Sequence, residues 1–381
     1  MPKAVTSLEE ISAAPVRHLY VHIPFCPKVC PYCSFYKETT DRNKTRRFLD
    51  AVLLEVDQQA AVLPPLRPRT IFFGGGTPSA LSTPQLEYLL AGLRDRLDLS
   101  ELAEWTLEMN PATVSLEKAT VLRALGVNRV SMGVQSWEPA LLEVLGRVHS
   151  AEQARRSYDI LRAAGFDNVN LDLIFGVPTQ TVDQWRRSLA ETVALGPEHI
   201  SAYNLTYEED TEFFRRFVTG EYTQNEDADI ALFELTADTL AAAGFEPYEI
   251  SNFARPGREC RHNLAYWQAA DYLGLGPSAF STVGERRWSN VRDTGAYNDR
   301  THAGVVAMDF EEAVPPDMRR AEAIAFGLRT NRGVLAETLR PWGEQVAEFT
   351  ELGLLHTDAA DRVLLTRKGR LLADTVAGAF V

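Results

Sequence analysis

The chain reads as an α/β protein, an incomplete (βα)6 TIM-like barrel followed by a C-terminal winged-helix-like α+β module. Two patterns predict the barrel. Short β-branched or aromatic runs alternate with longer runs of helical period, and those helical runs open on capping residues and tend to close on glycine. A third pattern predicts the module: beyond residue 310 the alternation gives way to helices flanking one short hairpin.

The six expected strands lie at 18–25, 70–74, 104–109, 129–135, 168–176 and 199–205, and the helices at 44–63, 84–97, 116–125, 151–164, 182–195 and 227–243. Ser150 with Gln153 and Thr181 with Gln184 fit the reciprocal capping box, Thr83 precedes Pro84 at a first helical position, and Gly126, Gly165 and Gly196 follow helix ends. Right-handed crossovers place each helix outside a parallel sheet. Six units are too few for the closed eight-stranded form, and in such barrels functional residues sit at the C-terminal ends of the strands.

The expected domains are a barrel over 1–250, an irregular connecting segment over 251–309 rich in Asn, Arg and aromatics, and the C-terminal module over 310–381. That module, with its hairpin at 354–357 and 361–365 and a last helix from Arg367, invites a DNA-binding reading. It carries nine Lys or Arg against eleven Asp or Glu, so a lid or packing role is expected instead.

With 381 residues and 45% apolar content the chain can bury a large core. Its formal charge of −13 and lack of a basic run exclude a phosphate-backbone footprint, so no nucleic-acid partner is expected. Four cysteines, three within eight residues, are no disulfide framework for so long a chain; they point to metal in a reducing compartment, the cytoplasm. The first 20 residues hold Glu9 and Glu10 and no apolar stretch of signal type, and nothing reaches the length of a membrane span. A soluble, unprocessed protein is expected.

Cys26, Cys30 and Cys33 follow the first strand in the run His-Ile-Pro-Phe-Cys-Pro-Lys-Val-Cys-Pro-Tyr-Cys. Three thiolates on a four-iron cluster leave one iron open to an exogenous ligand. Structural zinc is the rival and calls for four closed ligands. Phe35 stands where a fourth thiol would extend the motif, His22 belongs to the preceding strand, and Cys260 is distant in sequence.

Strand two ends in Phe-Phe-Gly-Gly-Gly-Thr-Pro-Ser, residues 72–79. Alone, this glycine run is a tight turn or a phosphate cradle without the lysine of a P-loop. After a cysteine triplet it suits close approach of a ligand. Glu108, Gln135, Arg147 and Asp172 recur at or after strand ends, where their ordinary role is ion pairing in a barrel mouth and their joint role would be ligand binding.

The cysteine triplet, with an aromatic before its last member, resembles the signature of the radical S-adenosylmethionine superfamily. The resemblance implies a [4Fe–4S] cluster whose open iron takes the amino and carboxylate groups of S-adenosylmethionine, and electron transfer that yields a 5'-deoxyadenosyl radical. Within it the chain is similar to the oxygen-independent coproporphyrinogen III oxidase-like family. By that likeness Tyr20, Gly75, Gly76, Thr77, Glu108, Gln135, Arg147 and Asp172 would contact nucleotide and Tyr32 would flank adenine. Some members bind two nucleotides, and the set is not apportioned between them.

Two features favour that family's haem-chaperone branch over its dehydrogenase branch. Phe35 replaces the fourth thiol after a short N-terminal arm, and residues 261–267, Arg-His-Asn-Leu-Ala-Tyr-Trp, match the HNxxYW motif associated with haem. The resemblance implies haem as cargo near His262, with Cys260 as another soft ligand. The plain alternative is a His-Asn loop cap beside core aromatics. The implied partners are a haem-accepting protein such as a membrane-associated respiratory enzyme, and flavodoxin or ferredoxin as electron donor. Two competitors remain, radical decarboxylation of coproporphyrinogen III and a zinc-organised scaffold.

Overall fold

Six parallel strands form in chain order where the apolar runs lie: β1 (Val16–Ile23), β2 (Leu66–Gly75), β3 (Glu104–Met109), β4 (Arg129–Gln135), β5 (Val169–Phe175) and β6 (His199–Asn204). The structure, a computed structural model, describes residues 14–39 and 42–381. The reading of an unprocessed N-terminus falls on residues 1–13 and lies outside the described residues.

The period-2 alternation of a strand sets the two faces of the sheet. Leu19, Val21, Ile71, Phe73, Trp105, Leu107, Val130, Met132, Leu171 and Leu173 are buried in the main apolar core. Helices α1 (Arg42–Ala60), α2 (Thr83–Arg94), α3 (Leu116–Ala124), α4 (Pro139–Val144), α5 (Ala151–Ala163) and α6 (Val182–Leu195) alternate with the strands. The intervening residues, among them Glu104, Glu108, Arg129, Ser131, Asn170, Asp172 and His199, form polar rows inside the barrel, joined by bonds such as Ser131 to Asp172 and Asn170 to His199. Sequence alternation therefore builds an apolar outer interface and a polar interior.

Helix ends follow local chemistry. Gly126 and Gly165 follow the C-caps Leu125 and Ala164, Gly196 is itself a C-cap, and all three adopt positive φ, while Thr181 with Gln184 forms a full capping box. The α2 cap differs from expectation: Ser82, not Thr83, is the N-cap, and its backbone N–H donates to the Gln85 side chain at 2.9 Å.

The stretch 251–309, expected to be irregular, is largely ordered into short elements. After α7 (Glu212–Val218), α8 (Glu226–Ala242) and β7 (Glu246–Pro247) come β8 (Asn252–Ala254), α9 (Arg261–Trp267), β9 (Leu273–Leu275), β10 (Phe280–Val283), β11 (Arg286–Asn290) and α10 (Thr294–His302). β9 joins the free edge of β1 in parallel, and β8 pairs antiparallel with β6, giving a nine-stranded sheet of order β9-β1-β2-β3-β4-β5-β6-β8-β7. Strands of three to five residues carry too little alternation to be read from sequence, and edge pairing fixes them. Buried Glu55 on α1 secures this stretch by accepting from the Gly276 amide at 2.8 Å, the Asn290 amide at 2.6 Å and the Tyr297 hydroxyl at 2.6 Å. Burial pushes its carboxyl up to about 7.

β12 (Met308–Ala313) completes a three-stranded sheet with β10 and β11. The C-terminal module follows, with α11 (Pro316–Leu328), β13 (Val334–Leu335), α12 (Gly343–Glu351), the hairpin β14 (Leu355–Thr357) and β15 (Arg362–Leu365), and two short terminal helices. It has its own core, including Ile324, Leu328, Leu354, Val363, Val376 and Phe380. Among the described residues no helix is long and apolar enough to cross a membrane.

Candidate functional site

A cavity of about 570 Å³ opens at the C-terminal ends of the barrel strands. The cysteine loop forms one wall. Phe25–Cys26 pairs in parallel with Glu38–Thr39, which pins both ends of the loop, and the Cys33 amide donates to the Cys30 carbonyl at 3.3 Å to turn it. The Lys37 ammonium closes the turn by donating to the Cys33 and Phe35 carbonyls. Cys26 is 8% exposed and lies 3.5 Å from the Thr77 hydroxyl, while Cys30 and Cys33 are partly exposed.

The donor set can be tested against the cluster. All three thiols line this one cavity, and the charges of Cys30 and Cys33 act on Cys26. Three thiols carried on one loop would suit three irons of a four-iron cluster and would leave the fourth iron open to the cavity. Burial pushes the Cys26 and Cys33 thiols up. Phe35, in the place of a fourth thiol, is 67% exposed.

The glycine run forms the second wall, by close contact with the first strand. Gly75 has φ +101°, and a Cβ there would sit 2.4 Å from the His22 ring; one on Gly76 would sit 2.7 Å from the Ile23 carbonyl. The Gly76 and Thr77 amides donate to Ile23 and Phe25 at 2.8 Å each. These glycines are therefore required by the backbone beneath the cysteine loop, and they also line the cavity.

The third wall is polar. Glu108 and Asp172 face the same cavity. Burial and then the Asp172 charge push the Glu108 carboxyl up to about 8, against the Gly75 amide and Arg129. Burial also raises Asp172, although Asn170 and Ser131 donate to it at 2.7 and 3.1 Å. Two carboxyls that repel one another favour a positively charged guest. Gln135 has φ +67° and a buried side-chain oxygen without a partner. Such backbone strain and an orphaned acceptor at a strand end fit a ligand contact. Arg147 donates to the Gly133 carbonyl at 2.9 Å and to Cys30 Sγ at 3.5 Å, while its Nε is buried and unpartnered. Tyr32 packs near Phe213 at 6.1 Å between ring centroids.

Cys26, Cys30, Cys33, Tyr32, Gly75, Gly76, Thr77, Glu108, Gln135, Arg147 and Asp172 are thus brought together. Ser131 and Tyr203 line the same cavity and were not singled out from sequence; their inward phase on β4 and β6 was the available signal.

Two expected residues lie elsewhere. Tyr20 is not among the cavity's lining residues; its ring stacks on Phe72 and its hydroxyl lies 3.2 Å from His22 Nδ1. His262 is at the opposite end of the barrel. Glu104 accepts from the Arg261 and His262 amides at 2.9 and 3.1 Å and from Cys260 at 3.4 Å, which plugs α9 into the barrel floor. His262 is 1% exposed, bonded to Thr70 at 2.8 Å and stacked on Phe72, and burial pulls its imidazole down to about 3. Cys260 is 0% exposed and pushed up to about 12 by burial. As packed, neither side chain offers a face to a porphyrin, and His262 Nε2 is buried without a partner among the described residues.

Residues 20–191 match the Radical SAM superfamily. Over 94% of this chain, 37% of residues are identical to the Heme chaperone HemW of Mycobacterium tuberculosis (strain CDC 1551 / Oshkosh), of which 93% is covered. The chain belongs to the HemW family of radical SAM proteins. Identity to HemW of Bacillus subtilis (strain 168) is 35% with 96% and 99% of the two chains covered, and to HemW of Escherichia coli (strain K12) 34% with 96% and 98% covered. Among solved structures, coproporphyrinogen III oxidase (HemN) from Escherichia coli superposes with a TM-score of 0.84 at 25% identity, covering 96% of this chain and 90% of that one. Membership in the superfamily carries a [4Fe–4S] cluster and S-adenosylmethionine, and in this HemW-family chain the mouth cavity has the thiols and the paired carboxyls to suit them.

Proposed function

We propose that this chain is a cytoplasmic haem chaperone: it holds haem as cargo and passes it to a haem-accepting protein, a membrane-associated respiratory enzyme being the expected acceptor. The carrying observation is its relationship to bacterial proteins named Heme chaperone HemW, at 34–37% identity over 94–96% of the chain. In this reading the barrel over 1–250 houses the cluster, the segment over 251–309 links it to haem handling, and the module over 310–381 packs against both.

Cys26, Cys30 and Cys33 would hold the cluster, which when bound supplies an electron, delivered by flavodoxin or ferredoxin, to a sulfonium ligand. This chain's own residues do the positioning. Gly75, Gly76 and Thr77 would seat the amino acid end of S-adenosylmethionine, and Tyr32 would flank the base. Glu108 and Asp172 would offset the ligand's positive charges, while Gln135 and Arg147 would direct its polar groups. Delivery of an intact cofactor requires no decarboxylation.

A second reading, radical decarboxylation of coproporphyrinogen III, is favoured by the full-length likeness to HemN. One experiment separates the two. Anaerobically reconstituted protein is given coproporphyrinogen III, S-adenosylmethionine and reductant, and in parallel is loaded with haem and mixed with an apo-haem protein. Transfer of haem without protoporphyrinogen is expected. Sustained turnover to protoporphyrinogen would overturn the chaperone reading.

A further inference from the structure

A second cavity, of about 400 Å³, lies between α9 and the C-terminal module, on the far side of α9 from His262. Its apolar walls come from Leu264 and Trp267 on α9, Ala323 and Ile324 on α11, and Val334 and Leu335 on β13. Phe326 meets the Trp267 indole edge-on at 6.1 Å, and the Arg329 guanidinium lies 5.2 Å from its centre, so the ring is held in place.

Charge distinguishes this cavity from an ordinary packing gap. Arg320, Arg332 and Arg362 line it and, among the described residues, no Asp or Glu does, on a chain of net charge −13. Arg362 is engaged with the Gly333 carbonyl at 3.0 Å, but Arg332 makes no ion pair among the described residues. Among the described residues Arg320 pairs only with the exposed Asp317 at 3.4 Å, a contact that contributes little.

We propose that this cavity takes the haem cargo, its flat apolar face against Trp267 and its two carboxylates on Arg320 and Arg332. The proposal rests on the chaperone reading and adds where the cargo sits. An aromatic wall supplies apolar contact area. Guanidinium groups pair with carboxylates in charge-assisted hydrogen bonds. Because Arg320, Arg332 and Leu335 are exposed, the carboxylate edge stays accessible to an acceptor. Both halves of the 261–267 motif then have physical roles: His262 anchors α9 in the barrel floor while Trp267 faces the cargo.

The test titrates cluster-loaded protein with haem and with its uncharged dimethyl ester, following the haem absorbance. The wild type is compared with the double variant Arg320→Gln/Arg332→Gln and with Ala323→Trp, which fills the cavity. The double variant is expected to weaken haem by about 10- to 100-fold and the ester hardly at all. Ala323→Trp should weaken both at least about tenfold, with cluster absorbance retained as the sign of a folded barrel. Unchanged haem affinity in both variants, with the wild type still binding, overturns this site alone. Wild-type protein that takes up neither form overturns the chaperone reading and this site with it.

Discussion

Arg147, in the loop after α4, donates to the sulfur of Cys30 at 3.5 Å and so connects the fourth βα unit to the cysteine loop between β1 and α1. Its other nitrogen holds the Gly133 carbonyl at 2.9 Å, which fixes the guanidinium between cluster wall and nucleotide wall. Arg147→Met keeps the stem and removes the fork. Iron content is expected to stay near wild type, while affinity for S-adenosylmethionine falls about tenfold, measured by equilibrium dialysis. Unaltered nucleotide affinity would reduce Arg147 to a loop clamp.

Cys26→Ser, Cys30→Ser and Cys33→Ser should each lose most iron and sulfide after anaerobic reconstitution. Cys260→Ser should load fully, because its thiol lies in the barrel floor against Glu104 rather than in the mouth. Iron and sulfide analysis of the four variants checks this, and loss of iron in Cys260→Ser would mean that the floor thiol takes part in the cluster.

Glu108 gives the ligand-free protein a pH signature. Its folded value of about 8 lies above the ordinary 4.5, so between these limits the folded state holds the proton that the unfolded chain has released. Stability from this group is therefore lost as pH rises through that window. A cationic ligand favours the ionised carboxylate and expels the proton, so affinity for S-adenosylmethionine should climb with pH over the same range, by up to about tenfold per unit. Glu108→Gln should flatten the profile; a steep profile retained in that variant would assign the proton elsewhere.

His262 has the opposite sign. Its folded value of about 3 lies below the ordinary 6.5, so the unfolded chain binds the extra proton and stability falls as pH drops through that interval. His262→Ala removes the Thr70 bond and the Phe72 stack and leaves a cavity in the floor. A loss of about 2–4 kcal/mol is expected in urea unfolding. Haem spectra of the surviving folded fraction should stay those of the wild type, which a direct ligand role would not allow.

Gly75→Ala tests the closeness of the first two strands. A Cβ at φ +101° would meet the His22 ring at 2.4 Å, so the strand end must move. Expected are a loss of about 1–3 kcal/mol and weakened nucleotide binding, with global unfolding and dialysis as the two readouts.

Much of this molecule was legible because its information is local. Alternation at period 2 gave the barrel strands, Thr181 and Gln184 marked a real capping box, and Gly126, Gly165 and Gly196 take the positive φ that glycine permits. The cysteine spacing and the polar residues at strand ends likewise named most of the mouth before any coordinates, since parallel topology sends all those ends to one side.

Depth and distance were decided only by packing. Tyr20 and His22 share a strand face and follow the pattern of the mouth residues, yet neither lines the cavity, Tyr20 being stacked on Phe72. His262 and Trp267 share a seven-residue helix, yet one is sealed into the barrel floor while the other lines a cavity against a module more than fifty residues further on. A helix presents its residues around a full circle, and which arc meets Glu104 and which meets α11 depends on partners far away in the chain. Residue type announced the chemistry available; the meeting of distant segments assigned each group its place.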